Sequence, residues 1–133
     1  MKNWGSNIWI FLHTFSVKVK DELFNENKLM ILSYIELIFT NLPCTICKKD
    51  SLLYFNQKKE SINSKNDLIL FIFDFHNNIN LKLDKKKFDF SIIERYYLCD
   101  VNIIFRLIKD KEVFVQNEIY DFLENNKYLF NYK

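Results

Sequence analysis

The sequence predicts an all-α protein, because its composition and the spacing of its apolar residues agree. Its 133 residues include one Gly, one Pro and no Ala. Turn-rich β folds and glycine-loop nucleotide sites need Gly or Pro at fixed positions, so both are close to excluded. Apolar residues recur instead at steps of three and four, which is the helical spacing. We therefore expect four helices of similar length joined by short loops as an antiparallel bundle, in one domain.

The first two helices are predicted from apolar stripes. One stripe gives a helix near residues 6–24, and a second gives a helix near 27–41. Pro43 must end the second helix, because the residue before a proline avoids the helical region. The stripes comprise Ile8, Leu12, Phe15 and Val19 in the first helix and Ile31, Ile35, Ile38 and Leu42 in the second.

The third and fourth helices are predicted from their start signals. Pro43 can occupy the first turn of a third helix that runs to about Lys58. A polar connection follows, and Ser64-x-x-Asp67 resembles a capping box that opens the fourth helix. Its stripe comprises Leu68, Ile72, Phe75, Ile79 and Leu83.

Shorter helices are expected towards the C terminus. Ser91-x-x-Glu94 is a second capping box and predicts a short helix. Two amphipathic stretches follow near residues 101–109 and 112–124. Their many apolar side chains predict that residues 99–133 form a helical extension that packs on the bundle or at a dimer contact.

Charge argues against nucleic acid or membrane as a partner. The formal net charge is +2, with lysines scattered among acidic residues rather than concentrated on one face. No apolar run reaches the roughly 18 residues that a membrane-spanning helix needs. We also expect no signal peptide, because polar residues interrupt the start of the chain at Lys2, Asn3, Ser6 and Asn7.

The sharpest chemical feature is the segment Leu42-Pro43-Cys44-Thr45-Ile46-Cys47. Two cysteines three residues apart at a helix start share a face and can form a disulfide. The amide groups and dipole of a helix N terminus lower a thiol pKa, which favours dithiol exchange. A zinc half-site and a pair of inert buried thiols remain the alternatives for this pattern alone.

Two helices carry planar side chains on one face each. Gly5, Trp9 and His13 lie at i, i+4 and i+8 of the first helix. His76 and Asn80 lie at i and i+4 of the fourth helix, and Asn77 is adjacent. Indole and imidazole planes suit a planar heterocycle, and amides suit the donors and acceptors at its edge. The pattern indicates a cofactor site, although Trp and His also occur as ordinary core residues.

Three segments together resemble the Erv/ALR family of FAD-linked sulfhydryl oxidases. They are Trp4-Gly5-x3-Trp9-x2-Leu12-His13-Thr14, Leu42-Pro43-Cys44-x2-Cys47 and His76-Asn77-x-Ile79-Asn80-x-Lys82-Leu83-x-Lys85. The resemblance implies a four-helix bundle with a short fifth helix that holds FAD, within residues 1–98, and commonly a homodimer. The sequence departs from the family pattern where Tyr96 stands in place of a common Trp. It also departs near Asp67 and Phe90, where family members often carry a structural cysteine pair.

The resemblance also implies a role for each matched residue. Cys47 would lie against the flavin and pass electrons to it, and Cys44 would meet the incoming thiol substrate. Oxygen would be reduced to hydrogen peroxide, and the substrate would be a thioredoxin-like or other Cys-x-x-Cys protein. The short form resembles viral members that act in the host cytoplasm or virion. The cofactor-contacting positions would be Gly5, Trp9, His13, His76, Asn77 and Asn80, with Lys82 and Lys85 near the phosphates.

Two other function classes are considered, of which the first fails on the sequence and the second remains the alternative. A thioredoxin-like oxidoreductase would need strands and a cis-proline away from the cysteine pair, whereas the single proline is Pro43. A zinc-stabilised helical interaction module would use Cys44 and Cys47. It would add two of the ligands Cys99, His13 and His76. Structural zinc sites usually draw on two local ligand pairs, and only one such pair exists in this sequence.

Overall fold

The all-α prediction is confirmed by a computed structural model, which describes residues 4–132. The side chain of Trp4, from the first motif, and residues Lys2 and Asn3 lie outside the described part. No helix within residues 4–132 is long and apolar enough to cross a membrane. The helices are α1 (Trp4–Lys18), α2 (Asp21–Phe24), α3 (Lys28–Thr40), α4 (Thr45–Lys58), α5 (Lys65–Lys82), α6 (Ile93–Tyr97), α7 (Val101–Asp110) and α8 (Asn117–Asn125).

Helix α1 lies at the centre of the molecule, in contact with α5, α6 and α7. Every residue from 11 to 19 is buried, as expected for a helix that is surrounded by others. The prediction that this helix continues to residue 24 is wrong. The backbone leaves the helix after Lys18 because Val19 pairs antiparallel with Phe130, and the amide of Lys20 donates to Leu129 O at 2.7 Å.

The start of α4 differs from the prediction by two residues. The helix begins at Thr45 rather than at Pro43: Cys44 is its N-cap, with extended backbone angles, and Pro43 lies before the cap. The amide of Cys47 donates to Cys44 Sγ at 3.2 Å. The thiol therefore caps the helix as a Ser or Asp side chain commonly does, because it accepts a hydrogen bond from one of the N–H groups that have no partner within the helix.

The predicted cap of α5 is present, and that of α6 is shifted. Ser64 Oγ accepts from the Asp67 amide at 3.1 Å, which fixes the start of α5. The helical turns before α6 begin at a cap formed by Asp89, not by Ser91. Asp89 Oδ1 accepts from the Ser91 amide at 2.9 Å, and these hydrogen bonds hold the pKa of Asp89 below its ordinary value.

The C-terminal helices α7 and α8 share the core of the bundle. The Phe105 ring meets Phe11 of α1 at 5.5 Å between centroids, and Phe122 stacks on Tyr34 of α3 at 4.0 Å. The Tyr34 hydroxyl donates to Ile119 O at 2.7 Å. Helix α8 begins at Asn117 rather than near residue 112, because residues 113–116 form a loop.

Candidate functional site

A cavity of about 720 Å³ opens between the N-terminal half of α1, the start of α4 and the C-terminal half of α5. Its volume lies within the roughly 300–1,000 Å³ of typical ligand pockets. Most of the lining side chains are apolar or aromatic, and Lys85 and Lys86 add two ammonium groups, as suits a molecule with both an aromatic and an anionic part. Six residues predicted from the sequence line it, namely Gly5, Trp9, Cys47, His76, Asn80 and Lys85.

Stacked rings form one wall of the cavity. The indole of Trp9 lies on the His76 ring with centroids 3.9 Å apart and planes 6° apart. Behind it, His13 Nε2 and His76 Nδ1 share a hydrogen bond of 2.9 Å. Tyr96 of α6 stacks on the far side of His13 at 4.6 Å. The α1, α5 and α6 side chains therefore hold the His76 plane in one orientation.

Both histidines are neutral at physiological pH. Burial, together with the neighbouring His76, lowers the pKa of His13 to about 3. Burial, with a smaller contribution from Lys85, lowers the pKa of His76 to about 4. The two neutral imidazoles share one proton in their mutual hydrogen bond, and His76 presents an uncharged ring to the cavity. Such a ring favours contact with a neutral aromatic ring system.

The two cysteines of the motif face different surroundings. Cys47 lines the cavity and packs against the hydrophobic core, whereas Cys44 lies at the helix start outside the cavity lining. Hydrogen bonds from Cys47 hold the pKa of the Cys44 thiol below its ordinary value. Burial, followed by the adjacent Cys44 sulfur, raises the pKa of Cys47 to about 11. Cys44 is thus suited to exchange with a thiol that arrives from outside the cavity, whereas Cys47 faces the cavity.

This asymmetry predicts the order in which the reduced thiols react. Only the thiolate attacks iodoacetamide, so Cys44 should be alkylated first near neutral pH. We expect a rate ratio of at least about ten, after allowing for the lower nucleophilicity of a more acidic thiol. The rate at Cys44 should approach its plateau at a lower pH than the rate at Cys47. Tandem mass spectrometry of the peptide that spans both cysteines measures the two rates, and faster labelling of Cys47 would contradict the assignment.

Three predicted cofactor residues do not line the cavity. His13 lies behind His76 and reaches the cavity only through their hydrogen bond. The Asn77 amide makes two hydrogen bonds to the backbone of Phe88. Lys82 Nζ lies 3.5 Å from Asp50 Oδ2 in a solvent-exposed ion pair. In the structure the contacts of these three residues are with other residues of the chain.

Several lining residues were not selected from the sequence. Phe88 and Lys86 lie on the loop after α5, and Tyr96 lies on α6. The basic run Lys85-Lys86-Lys87 was a usable signal, but nothing in one sequence shows which lysine faces the cavity. Tyr96 and Phe88 reach the site only because the chain folds back across α5, a long-range event that local spacing does not report.

The residues present fit a flavin dinucleotide. At Gly5 an added Cβ would meet no protein atom within 4 Å, so protein packing does not explain the small residue. That space lies in the cavity wall, where a ligand would occupy it. Trp9 and His76 offer ring planes, Asn80 an amide, and Lys85 and Lys86 ammonium groups for phosphates. By contrast, no group of three or more His, Cys, Asp or Glu within residues 4–132 could hold a metal ion.

A helical bundle that brings a dithiol and a ring-lined cavity together defines a dithiol oxidoreductase with a bound planar cofactor. The chain belongs to the Erv1 / Alr family, whose sequence profile matches residues 6–98. It is 29% identical over 97 residues to the FAD-linked sulfhydryl oxidase of African swine fever virus (isolate Pig/Kenya/KEN-50/1950). That match covers 73% of this chain and 82% of the viral protein.

Two further comparisons come from yeast. The mitochondrial FAD-linked sulfhydryl oxidase ERV1 of Saccharomyces cerevisiae is 25% identical over 91 residues, which cover 68% of this chain and 48% of the yeast protein. The crystal structure of the yeast Erv1 core superimposes with a TM-score of 0.66 at 23% identity, over 74% of this chain and 83% of that chain. The structural match shows that the fold is shared.

Proposed function

We propose that Cys44 and Cys47 are the redox pair of a FAD-dependent sulfhydryl oxidase and that the cavity beside Cys47 holds the flavin. The class of enzyme and the cofactor follow from the family and from the names of its relatives. The observation that supports the site is the position of Cys47, which is the one cysteine of the pair that lines the cavity.

The thiol chemistry balances within the chain's own residues. A substrate thiolate attacks Cys44 Sγ of the Cys44–Cys47 disulfide, the S–S bond breaks and its electron pair goes to Cys47 Sγ. The second substrate thiol then displaces Cys44, and the substrate leaves as a disulfide. Cys44 is a good leaving thiolate because hydrogen bonds from Cys47 lower its pKa. Burial raises the pKa of Cys47, and its thiolate, once formed, is therefore the more basic and the more nucleophilic of the two towards an electron acceptor.

Bound FAD supplies the two-electron acceptor and the reaction with oxygen that yields hydrogen peroxide. Cys47 lines the cavity that would hold the flavin. Trp9 and His76 present their ring planes, and His13 fixes the orientation of His76 through a hydrogen bond. Lys85 and Lys86 line the same cavity and suit the diphosphate.

The substrate is proposed to be a thioredoxin-like or other Cys-x-x-Cys protein. The surface around Cys44 is open: Pro43 and Thr45 are exposed, and the Ile46 side chain is 73% exposed. A protein segment can therefore reach Cys44 Sγ. We also propose a homodimer, which light scattering of the flavoprotein checks, and a site of action in a host cytoplasm or virion, in line with the viral relative.

Purified protein should be yellow and should release about one FAD per chain on denaturation. With dithiothreitol it should consume oxygen and produce hydrogen peroxide, because the dithiol reduces the Cys44–Cys47 disulfide. Flavin absorbance measures the FAD content, an oxygen electrode measures the oxygen consumption, and metal analysis of the same sample measures the zinc content. A colourless protein with stoichiometric zinc would contradict the proposal and favour a zinc-stabilised module.

A further inference from the structure

The loop after α5 forms part of the cavity wall, and we call residues 83–89 the strap. Leu83, Lys85, Lys86 and Phe88 of the strap line the cavity. All side chains from residue 81 to 91 are exposed, so the strap itself has little hydrophobic support. Its position must therefore depend on its ends. The same segment carries both lysines that suit the cofactor phosphates.

The first end of the strap is fixed by the C terminus of α5. Asp84 adopts a left-handed conformation with φ of 61°, and the Lys85 amide donates to Asn80 O at 2.7 Å. Within the described residues, the backbone amides of Lys86 and Lys87 have no backbone partner. The part of the strap without backbone hydrogen bonds therefore begins at Lys86.

The second end is held by one side chain. The Phe88 amide donates to Asn77 Oδ1 at 2.8 Å, and Asn77 Nδ2 donates to Phe88 O at 3.2 Å. The Asn77 amide thus pairs with the strap as a neighbouring β-strand would. Asn77 is 5% exposed, and it comes directly after His76 on α5. The Phe88 ring then lies edge-on to His76 with centroids 4.9 Å apart.

We propose that Asn77 is a positioning residue that latches the strap over the cavity, and that opening of this latch limits the exchange of FAD. This inference rests on the proposed function, but it gives Asn77 a different role from the cofactor contact that the sequence suggests. Both the oxygen and the nitrogen of its amide bond to Phe88, and Asn77 does not line the cavity. Through Phe88 and the preceding Lys86, the latch sets the closed form of the site.

The test uses the purified full-length flavoprotein and its variant Asn77→Leu, which keeps side-chain size and removes both hydrogen bonds. Loss of two such bonds should speed flavin release roughly ten-fold, as read from the rise in flavin fluorescence after dilution. Trypsin cleavage after Lys85, Lys86 or Lys87 should accelerate by a similar factor. The matched control is Asn78→Leu, since Asn78 is the adjacent half-buried residue on α5, and both rates should stay at the wild-type value.

Cleavage after Lys111, an exposed residue in the turn that follows α7, separates the latch from general destabilisation. It should be unchanged in Asn77→Leu, because only the strap is released. Equal acceleration at Lys111 and at the strap, or unchanged flavin release, would overturn the proposal. If the protein carries no flavin, the proposed function fails, and cleavage of the strap alone then decides whether Asn77 is a latch.

Discussion

Replacement of Cys47 by Ser should abolish thiol-dependent oxygen consumption, with a loss of at least about a thousand-fold in turnover. Cys47 is the cysteine of the pair that lines the cavity, so no other sulfur of the pair can pass electrons to a cofactor there. A serine hydroxyl cannot form the disulfide or carry the electron pair. Oxygen uptake with dithiothreitol measures the loss, and the flavin absorbance of the variant shows that the cofactor is still bound.

The two cysteine variants should fail in different ways. Cys47→Ser keeps the accessible Cys44, whose thiolate should attack an added small disulfide such as oxidised glutathione, release one thiol and remain as a mixed disulfide, because the resolving thiol is missing. Cys44→Ser should accumulate none, since the remaining Cys47 faces the cavity and burial raises its pKa to about 11. Cys99→Ser is the matched control and should turn over normally. Full turnover in Cys47→Ser would show that the electron path is wrong.

Local sequence signals predicted two helix ends correctly and placed the starts of α4 and α6 a few residues away. The structure bears out the start of α5 at Ser64 and the end of α3 before Pro43. The first helix was predicted too long because its apolar stripe continues through Val19. Val19 is buried by pairing with Phe130 instead of by helical packing. A contact between residues more than a hundred positions apart cannot be predicted from the local spacing of apolar residues.

The same limit applies to the site. Motif spacing identified the rings of Trp9 and His76, the thiol of Cys47 and the amide of Asn80, all of which line the cavity. Spacing cannot say whether a polar side chain on that face meets the cavity or another part of the chain. Asn77 illustrates this, because its partner is the backbone of Phe88, which no side-chain pattern reveals.

Replacement of Phe130 by Ala should lower the free energy of unfolding by roughly 3–5 kcal/mol, the cost of removing a fully buried aromatic side chain. Phe130 is 1% exposed, and its ring packs edge-on against Phe15 of α1 and Phe105 of α7, each with centroids 5.2 Å apart. Urea denaturation followed by circular dichroism measures the change. Tyr128→Ala is the matched control, because Tyr128 is 54% exposed in the same terminal segment and should change stability by less than about 0.5 kcal/mol.

Phe130 lies beyond residues 6–98, the part that the family profile matches. A large loss of stability would therefore mean that the C-terminal extension is an integral part of the core. It holds the end of α1 through the pairing of Val19 with Phe130, and α1 carries Trp9 and His13. The flavin content of Phe130→Ala should then fall together with its stability. A variant that unfolds like the wild type would show instead that the extension is an independent attachment, and that α1 keeps its place without it.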